Sequence, residues 1–437
     1  MKTMYELIKG EDNPNSRKTY TVKDIEGGGG GGDASTASTS KKHQSQRLAS
    51  LDVFRGVTVA TMIFVDHAGG LFPVINHSPW NGITLADFVF PFFLFIVGVS
   101  LALAYKKPEL RCTATKKSIL RAMKLSLLGL LLQGGYLHRV FDLSYGVDLT
   151  KIRLMGILQR IAIAYLVSAL CEIWLKSNEE DMENSRASHL LRYRFQWIVA
   201  FTLSTIYLIL LYYLYVPDWE FQINEKGSLK TFKVNCGVRG DTGPACNAAG
   251  MIDRRLLGIP HLYSKPVYAR TEQCSINSPD YGPLPSNAPS WCQAPFDPEG
   301  LLSSVMGIVS CLIGLHFGHI IVHFREHKER VLNWMIPASI LVVFGFMLNL
   351  SGMHFNKALY SLSYMCVTTG VAGIFLAGTY MLVDVYGWRR PTMVMELLGK
   401  HALLIFILAA SNVVPIFLQG FYWKKPENNI LRLIIGS

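Results

Sequence analysis

The stretch LDVFRGVTVATMIFVDHAGGLFPVINHSPWNGITLADFVFPFFLFIVG, residues 51–98, decides the fold of this chain. It holds two apolar segments, each close to the roughly 20 residues that a helix needs to cross a bilayer. A short polar connection joins them, and ionisable side chains lie within and between them. Such groups cost about 3 kcal/mol each at membrane depth unless they are paired or hydrated, so they are candidate functional residues. They are Arg55, Asp66, His67, His77 and Asp87.

The rest of the chain has the same character. Of its 437 residues, 50% are hydrophobic and 17% are charged, against roughly 25% charged residues in soluble domains. The mean hydropathy is +0.27. We therefore predict an all-α polytopic membrane protein, a bundle of about nine to ten transmembrane helices with one large luminal loop. The predicted spans are 52–70, 84–105, 118–137, 154–175, 196–216, 300–322, 331–350, 358–384 and 393–419, and the residues after Trp423 are typical of the start of a tenth.

The net charge of +11 is explained by membrane topology rather than by nucleic-acid binding. Lys and Arg concentrate in the connections that follow the second, fourth, sixth and eighth predicted spans, all on the side of the amino terminus. Because cytosolic connections carry the excess of basic residues, this side is predicted to be cytosolic. Residues 1–50 are polar and include the glycine tract 27–32, which predicts a disordered cytosolic tail ahead of a membrane domain at 51–437.

The large loop at 217–297 is predicted to face the lumen and holds four of the eight cysteines. Cysteines gathered on a non-cytosolic side favour two disulfides, and the sequence leaves all three pairings open. A zinc site has less support because the loop has no CxxC pair. We expect no metal site. The four cysteines are Cys236, Cys246, Cys274 and Cys292.

His77 and Asp87 are the first candidates for chemistry. His77 lies in the connection VINHSPWNGIT (74–84), whose Pro, Asn and Gly favour a tight turn. A His there could act as a general base or nucleophile near neutral pH, or it could be an exposed loop residue without a role. Asp87 lies about one turn inside the second span. It could orient the imidazole as a triad carboxylate does, or pair with Arg55 and lock two helices together.

Two further pairs are candidate site residues. Asp66 and His67 end the first span, where they could add a carboxylate and an imidazole to the site or cap a helix end. Lys124 and Arg160 are cations within the third and fourth spans. They could line a path for an anionic ligand such as a phosphate-bearing cofactor, although Lys124 could also extend to the cytosolic face.

Six motifs then identify a resemblance that runs in order over nearly all of the chain after residue 50. The chain resembles the heparan-α-glucosaminide N-acetyltransferase family of transmembrane acetyltransferases. The block around HSPWNGITLADFVFP is the most specific of the six, whereas FDPEG or SLSY alone would be weak. The motifs are LDVFRG (51–56), NHSPWNGITLADFVFPFFLFIVG (76–98), IRLMGILQR (152–160), CNAAGMIDRRLLG (246–258), FDPEG (296–300) and NKALYSLSY (356–364).

The resemblance implies an enzyme that takes acetyl from cytosolic acetyl-CoA and delivers it to a luminal amino sugar or glycan of the glucosamine type. It implies a lysosome- or vacuole-like endomembrane and places the family's active-site His on His77. We expect Asp87 and Asp66 to assist that His. Lys124 and Arg160 match basic positions of the family and are implied contacts for CoA. The expected partners are therefore acetyl-CoA, the acceptor sugar and the lipid bilayer, and the oligomeric state, a homodimer included, is left open.

Two departures from the family lie in and before the first matching span. The lysosomal member has a larger luminal amino-terminal domain and an extra first span, and neither is expected here. Where that member has Asn-Tyr at the end of the first matching span, this chain has Asp66 and His67.

A solute or proton-coupled transporter is the alternative function, because charges at membrane depth also mark transport pathways. The sequence does not show the paired, Gly- and Pro-broken halves that inverted repeats leave. A scaffold without catalytic activity is a third reading, which a failure to bind acetyl-CoA would favour.

Overall fold

The computed structural model describes residues 48–69, 72, 74–106, 110–133, 152–175, 192–225, 228–263 and 265–411. Helices dominate this part of the chain. Residues 1–47 of the predicted tail at 1–50 lie outside it, as does the predicted tenth helix, whereas Ala49 and Ser50 already belong to the first helix. In chain order the helices are α1 (Ala49–Ala68), α2 (Leu85–Ala104), α3 (Arg111–Gln133), α4 (Ile157–Trp174), α5 (Arg194–Tyr213), α6 (Ala248–Leu256), α7 (Leu301–His323), α8 (His327–Leu350), α9 (Leu362–Tyr380), α10 (Arg389–Lys400) and α11 (Ala402–Ala410).

One end of the helical bundle carries three connections that contact one another. We call it the loop end, and define it by residues 74–84, 215–300 and 351–361. Trp80 donates its Nε1–H to the carbonyl of Thr242 at 3.1 Å, which joins the first connection to the second. Asn81 forms an isolated antiparallel bridge with Asn356, which joins the first to the third. The His77 connection and the cysteine-bearing loop therefore lie at the same end.

Contacts at the opposite end show that successive long helices alternate in direction. The amide of Ser50, at the start of α1, donates to Asp384 Oδ2 just after α9, at 3.2 Å. Trp174, the last residue of α4, donates to Thr115 Oγ1 in the first turns of α3 at 3.1 Å. This alternation is the arrangement expected of a bundle whose helices cross a membrane in turn.

The centre of the bundle is the crossing of α2 and α7. A Cβ added to Gly98 would lie 2.0 Å from the carbonyl oxygen of Cys311, and one added to Gly314 would lie 2.2 Å from that of Phe95. Only hydrogen fits at these two positions, so the helix backbones touch directly. Around the crossing, Phe95 and Phe317 pack edge to face with their ring centroids 5.1 Å apart.

Six of the described helices are long and apolar enough to cross a membrane: α2, α4, α5, α7, α8 and α9 with its continuation to Val385. The pair α10 and α11 would be a seventh, but it is bent by 63°. The predicted span at 393–419 is thus broken near His401. Helix α3 begins at Arg111 rather than 118, because the basic segment before the apolar run is also helical. The prediction of nine to ten spans is confirmed only for six or seven, and α1 and α3 do not meet the same test of length and apolarity.

The loop between α5 and α7 is a small folded unit rather than an irregular connection. It holds the antiparallel hairpin of β1 (Trp219–Glu225) and β2 (Ser228–Val234), then α6 and short 3₁₀ turns. This hairpin is a local exception to the all-α prediction. Its own apolar core includes Phe221, Val234 and Met251. Two disulfides close the unit, and they pair cysteines that are near in sequence: Cys236 with Cys246, and Cys274 with Cys292.

This pairing predicts a specific labelling pattern. A thiol reagent applied to the denatured, unreduced protein should modify Cys112, Cys171, Cys311 and Cys366, which are free, and spare the four loop cysteines until a reductant is added. Peptide mapping of the unreduced protein should recover Cys236 joined to Cys246 and Cys274 joined to Cys292. A peptide that joins Cys236 to Cys274 or Cys292 would contradict the fold of this loop.

Candidate functional site

The connection that carries His77 is a shaped turn. Ser78 Oγ donates to the carbonyl of Asn81 at 2.6 Å, and Gly82 has φ +116°, a left-handed conformation that favours glycine. The ring of Trp80 packs edge to face on Tyr268 and Phe296, with centroids 5.8 and 5.4 Å away. These contacts explain why the sequence places Pro, Trp, Asn and Gly together after the His.

Asp87 fixes the imidazole of His77. The carboxylate is fully buried in the first turn of α2, and its Oδ1 lies 2.9 Å from His77 Nδ1. Its Oδ2 accepts from the amides of Ser78 at 3.2 Å and Thr84 at 3.1 Å, and from Thr84 Oγ1 at 3.0 Å. Since Nδ1 donates to the carboxylate, Nε2 is the nitrogen whose lone pair is available for chemistry.

The alternative partner for Asp87, Arg55, lies elsewhere. Its guanidinium donates to Asp52 Oδ1 and to Ser100 Oγ, each at 3.1 Å. Arg55 therefore joins α1 to α2 away from the His77 site. The alternative pairing of Arg55 with Asp87 is not formed, and Arg55 hydrogen-bonds to Ser100 instead. The negative charge of Asp87 is instead stabilised by hydrogen bonds from the connection that carries His77.

Lys357 is a third member of the site that sequence reasoning missed. Its Nζ lies 2.8 Å from Nδ1 and 3.2 Å from Nε2 of His77, and 3.6 Å from Asp87 Oδ1. The residue stands in the connection between α8 and α9, 280 positions from His77. One signal could have identified it: Lys357 is the single Lys of a short connection on the side that the distribution of basic residues makes non-cytosolic.

The connection that carries Lys357 is hydrogen-bonded to the connection that carries His77. The amide of Gly82 donates to the carbonyl of Phe355 at 2.8 Å, and Asn356 Nδ2 donates to Asn81 Oδ1 at 3.3 Å. Tyr360 has φ +55°, which is uncommon for a residue other than glycine, and its hydroxyl contacts Ser310 Oγ at 2.9 Å. The lysine is therefore held against the imidazole by contacts of the residues on both sides of it in the chain.

The electrostatics of the loop keep the imidazole neutral. Burial lowers the pKa of His77, and the nearby Lys357 lowers it further, against the opposing effects of Asp87 and Asp66. Burial likewise lowers the pKa of Lys357, although Asp87 and Glu299 oppose this shift. A neutral imidazole with a lone pair on Nε2, which here also lies 3.2 Å from Lys357 Nζ, is the form that accepts a proton or attacks a carbonyl carbon.

Asp66 and His67 lie at the end of α1, near the site but less engaged with it. Asp66 is exposed and is close enough to His77 and Lys357 to interact with them electrostatically. Among the described residues it makes no hydrogen bond. The His67 ring contacts the carbonyl of Ile63 through Nδ1, at 2.9 Å, within its own helix. The structure thus brings Asp66 to the edge of the site and gives His67 a local contact.

Arg160 and Lys124 do not lie together. Arg160 is buried in the first turn of α4, with its guanidinium 5.0 Å from the ring centroid of Phe90 and 4.8 Å from that of Tyr360. It is therefore at the loop end, near His77. Lys124 is exposed on α3, about one turn farther from the loop end than Gly129, which packs against Gln159. The two cations could contact only different parts of one long ligand.

The described part of the chain holds no cluster of three or more His, Cys, Asp or Glu residues placed to bind a metal ion. What the site does hold is an oriented neutral imidazole, a buried carboxylate and an ammonium group. This set can remove a proton from an amine, or attack an activated acyl group, and can stabilise the negative charge that develops on the acyl oxygen.

Comparison with known proteins agrees with this chemistry. Residues 47–179, which include His77, Asp87, Lys124 and Arg160, match the family described as heparan-alpha-glucosaminide N-acetyltransferase, catalytic. The chain is 30% identical over 410 residues to the heparan-alpha-glucosaminide N-acetyltransferase of Mus musculus, covering 89% of this chain and 56% of that protein. It is 29% identical over 404 residues to that of Homo sapiens, covering 87% of this chain and 55% of that protein.

The chain thus spans about half the length of the curated relatives that it matches. The names of both relatives describe an acyltransferase. The matched region includes the His77 connection and the helices on either side of it. These matches make the chain a homologue of the heparan-alpha-glucosaminide N-acetyltransferases.

Proposed function

We propose that this protein is a membrane-embedded acetyltransferase that moves an acetyl group from cytosolic acetyl-CoA to a luminal amino sugar of the glucosamine type. The observation that carries the proposal is the His77–Asp87 hydrogen bond, in a connection that lies within the region matched to the catalytic family. The relatives' names supply the reaction class, and the site supplies groups suited to it.

The proposed reaction is acyl transfer to an amine. The amine nitrogen attacks the acetyl carbonyl carbon, a C–N bond forms and the C–S bond breaks. Nε2 of His77 takes the proton from the amine and returns it to the departing thiolate, so that CoA leaves as a thiol. In the alternative route Nε2 attacks first, the C–S bond breaks and CoA leaves as a thiolate. The amine then takes the acetyl group from the imidazole and releases a proton, which the thiolate can accept. Ping-pong kinetics would identify the second route, and intersecting kinetics the first.

Acetyl-CoA would enter from the face opposite the loop end. Lys124 is exposed on α3 and suits a contact with a phosphate. Arg160 lies at the His77 end, so we assign it to the thioester end of the same molecule rather than to its phosphates. Lys357 is placed to stabilise the negative charge that develops on the acetyl oxygen.

The topology that this reaction needs is part of the proposal. We propose nine to ten spans, with residues 1–50 as a cytosolic tail, residues 51–437 as the membrane domain and the disulfide-bonded loop at 217–297 in the lumen of a lysosome- or vacuole-like membrane. The presence of several apolar helices supports a multi-pass membrane protein. A homodimer would be compatible with this arrangement.

Replacing the imidazole tests the reaction directly. The variant His77→Ala should lose roughly 10²- to 10⁴-fold in kcat for acetyl transfer to glucosamine, because the acid–base group is removed. The matched control is His354→Ala, which removes an exposed imidazole from another connection at the loop end. A folded His77→Ala protein that transfers acetyl at the rate of the control would exclude His77 from the mechanism.

The effect of Lys357 on His77 predicts a shift in pH dependence. Because the pKa of His77 is lowered, the active neutral imidazole should persist below the usual His range, and activity should fall only at lower pH. Lys357→Met removes a cation that lowers this pKa, so the acidic limb of kcat/KM should move to higher pH. Lys265→Met, at an exposed lysine of the large loop, should leave the limb in place. If the acidic limb of kcat/KM in Lys357→Met is unchanged or moves to lower pH, this electrostatic coupling is contradicted.

Cysteine accessibility in sealed vesicles with the cytosolic face outward tests the topology. Cys112 is exposed and should be modified from outside, whereas a cysteine introduced at Val74, where the side chain is 84% exposed, should react only after permeabilisation.

The same vesicles test transfer across the membrane. With acetyl-CoA outside and glucosamine inside, acetylated sugar should accumulate in the lumen. Flux of unmodified sugar without acetylation would instead establish a transporter, and labelling of position 74 from outside would refute the proposed route.

A further inference from the structure

A network of opposite charges borders the His77 site on the side of α4 and α7. We propose that Arg153 and Glu299 form the acceptor subsite, in which they bind hydroxyl groups of an amino sugar while the carboxylate attracts its ammonium group. That group gives one proton to water before transfer, so that a neutral amine attacks the acetyl carbon. This inference rests on the proposed acetyl transfer and names the residues that would select its acceptor. It is carried by the geometry of one ion-pair network.

Arg153 is held in one orientation by Asp297. Its Nε lies 2.9 Å from Asp297 Oδ2 and its Nη2 lies 2.5 Å from Oδ1, a bidentate contact to a fully buried carboxylate. Its guanidinium stacks on the ring of Tyr263, with 4.6 Å to the centroid. Such an anchored guanidinium loses little further freedom when it binds a ligand.

Glu299 is the accessible carboxylate of this network. It is paired with Arg153 Nη2 through Oε2 and is 12% exposed, whereas Asp297 is fully enclosed. Within the part of the chain that the structure describes, Oε1 of Glu299 has no hydrogen-bond partner. The exposed edge of the pair thus offers an unused acceptor oxygen beside a partly exposed guanidinium, which is 17% exposed. Carboxylate and guanidinium side by side match the donors and acceptors of neighbouring sugar hydroxyls.

The subsite borders the reacting imidazole through Lys357. Glu299 interacts electrostatically with Arg153, Arg160 and Lys357, and Lys357 contacts His77 directly. Buried Arg160 adds to the same region a guanidinium whose Nε and Nη2 have no hydrogen-bond partner among the described residues. A sugar bound at Glu299 with its amine toward Lys357 would present that amine on the His77 side of the network.

The charges also explain how the subsite would distinguish substrate from product. An amino sugar is cationic when protonated, and three cations surround Glu299, so its carboxylate is needed to make this region attractive to the acceptor. Acetylation turns the amine into a neutral amide. The product then keeps its hydroxyl contacts but loses the attraction to the carboxylate, which would favour its release.

The test is binding of glucosamine and of N-acetylglucosamine to the full-length purified protein, by calorimetry, together with acetyl transfer. Glu299→Gln keeps the shape and a hydrogen-bonding oxygen but removes the charge. It should weaken glucosamine binding and raise its KM about 10- to 100-fold, as expected for loss of a charged contact. The affinity for N-acetylglucosamine and the KM for acetyl-CoA should stay within about twofold, a change too small to reflect a lost hydrogen bond. Glu272→Gln, at an exposed carboxylate of the same loop, should match the unmodified protein.

Equal weakening of both sugars, or unchanged glucosamine binding in folded Glu299→Gln, would overturn the assignment. Failure of the unmodified protein to bind glucosamine would overturn it as well. Binding that depends on Glu299 in a protein that transfers no acetyl would instead support the subsite and refute the proposed function. Arg153→Lys should weaken both sugars, because it keeps the charge but loses the bidentate anchor.

Discussion

The buried carboxylate of Asp87 is the interaction on which the rest of the site depends. A carboxylate with no exposure is tolerated only when its oxygens are fully used, and breaking a buried pair costs about 3–5 kcal/mol. Here Oδ2 accepts hydrogen bonds from the amides of Ser78 and Thr84, and Oδ1 accepts one from His77 Nδ1. The same group therefore shapes the turn, begins helix α2 and orients the imidazole. Tyr364 adds a hydrogen bond to the backbone carbonyl of Asp87, which ties α9 to this point.

A second carboxylate performs part of the corresponding task for α7, although its Oδ2 has no hydrogen-bond partner among the described residues. Asp253, on α6, accepts from the amide of Leu301 at 2.8 Å and so caps the start of that helix. Burial raises the pKa of Asp253 to about 7, with a further contribution from Asp297 and opposition from Leu301, Arg160 and Arg254. Carboxylates at the first turns of α2 and α7 thus fix the two helices whose backbones touch at Gly98 and Gly314. The site is therefore anchored on two helices whose backbones are in direct contact.

The sequence was sufficient for features that are local or strongly periodic. His77 and Asp87 are ten residues apart across a turn, so their proximity followed from the chain itself. The long apolar helices followed from composition. Lys357 is 280 positions away from His77 and the Arg153–Glu299 pair spans 146, and no periodic pattern relates such residues. Only the folding of the bundle brings them together. The bend between α10 and α11 was missed because both sides of the break are apolar.

The distribution of charge separates the two substrates that the proposed reaction must bring together. CoA carries several phosphates, and the basic connections lie on the side of the amino terminus, away from the loop end. The amino sugar carries a cation, and the carboxylates of Asp87, Asp297 and Glu299 lie at the loop end. Each substrate is therefore attracted to a different face, since attraction falls off within about 8 Å in physiological salt. The neutral thioester, rather than the charged phosphates, is then the part of acetyl-CoA that would reach His77 through the bundle at the lowest cost.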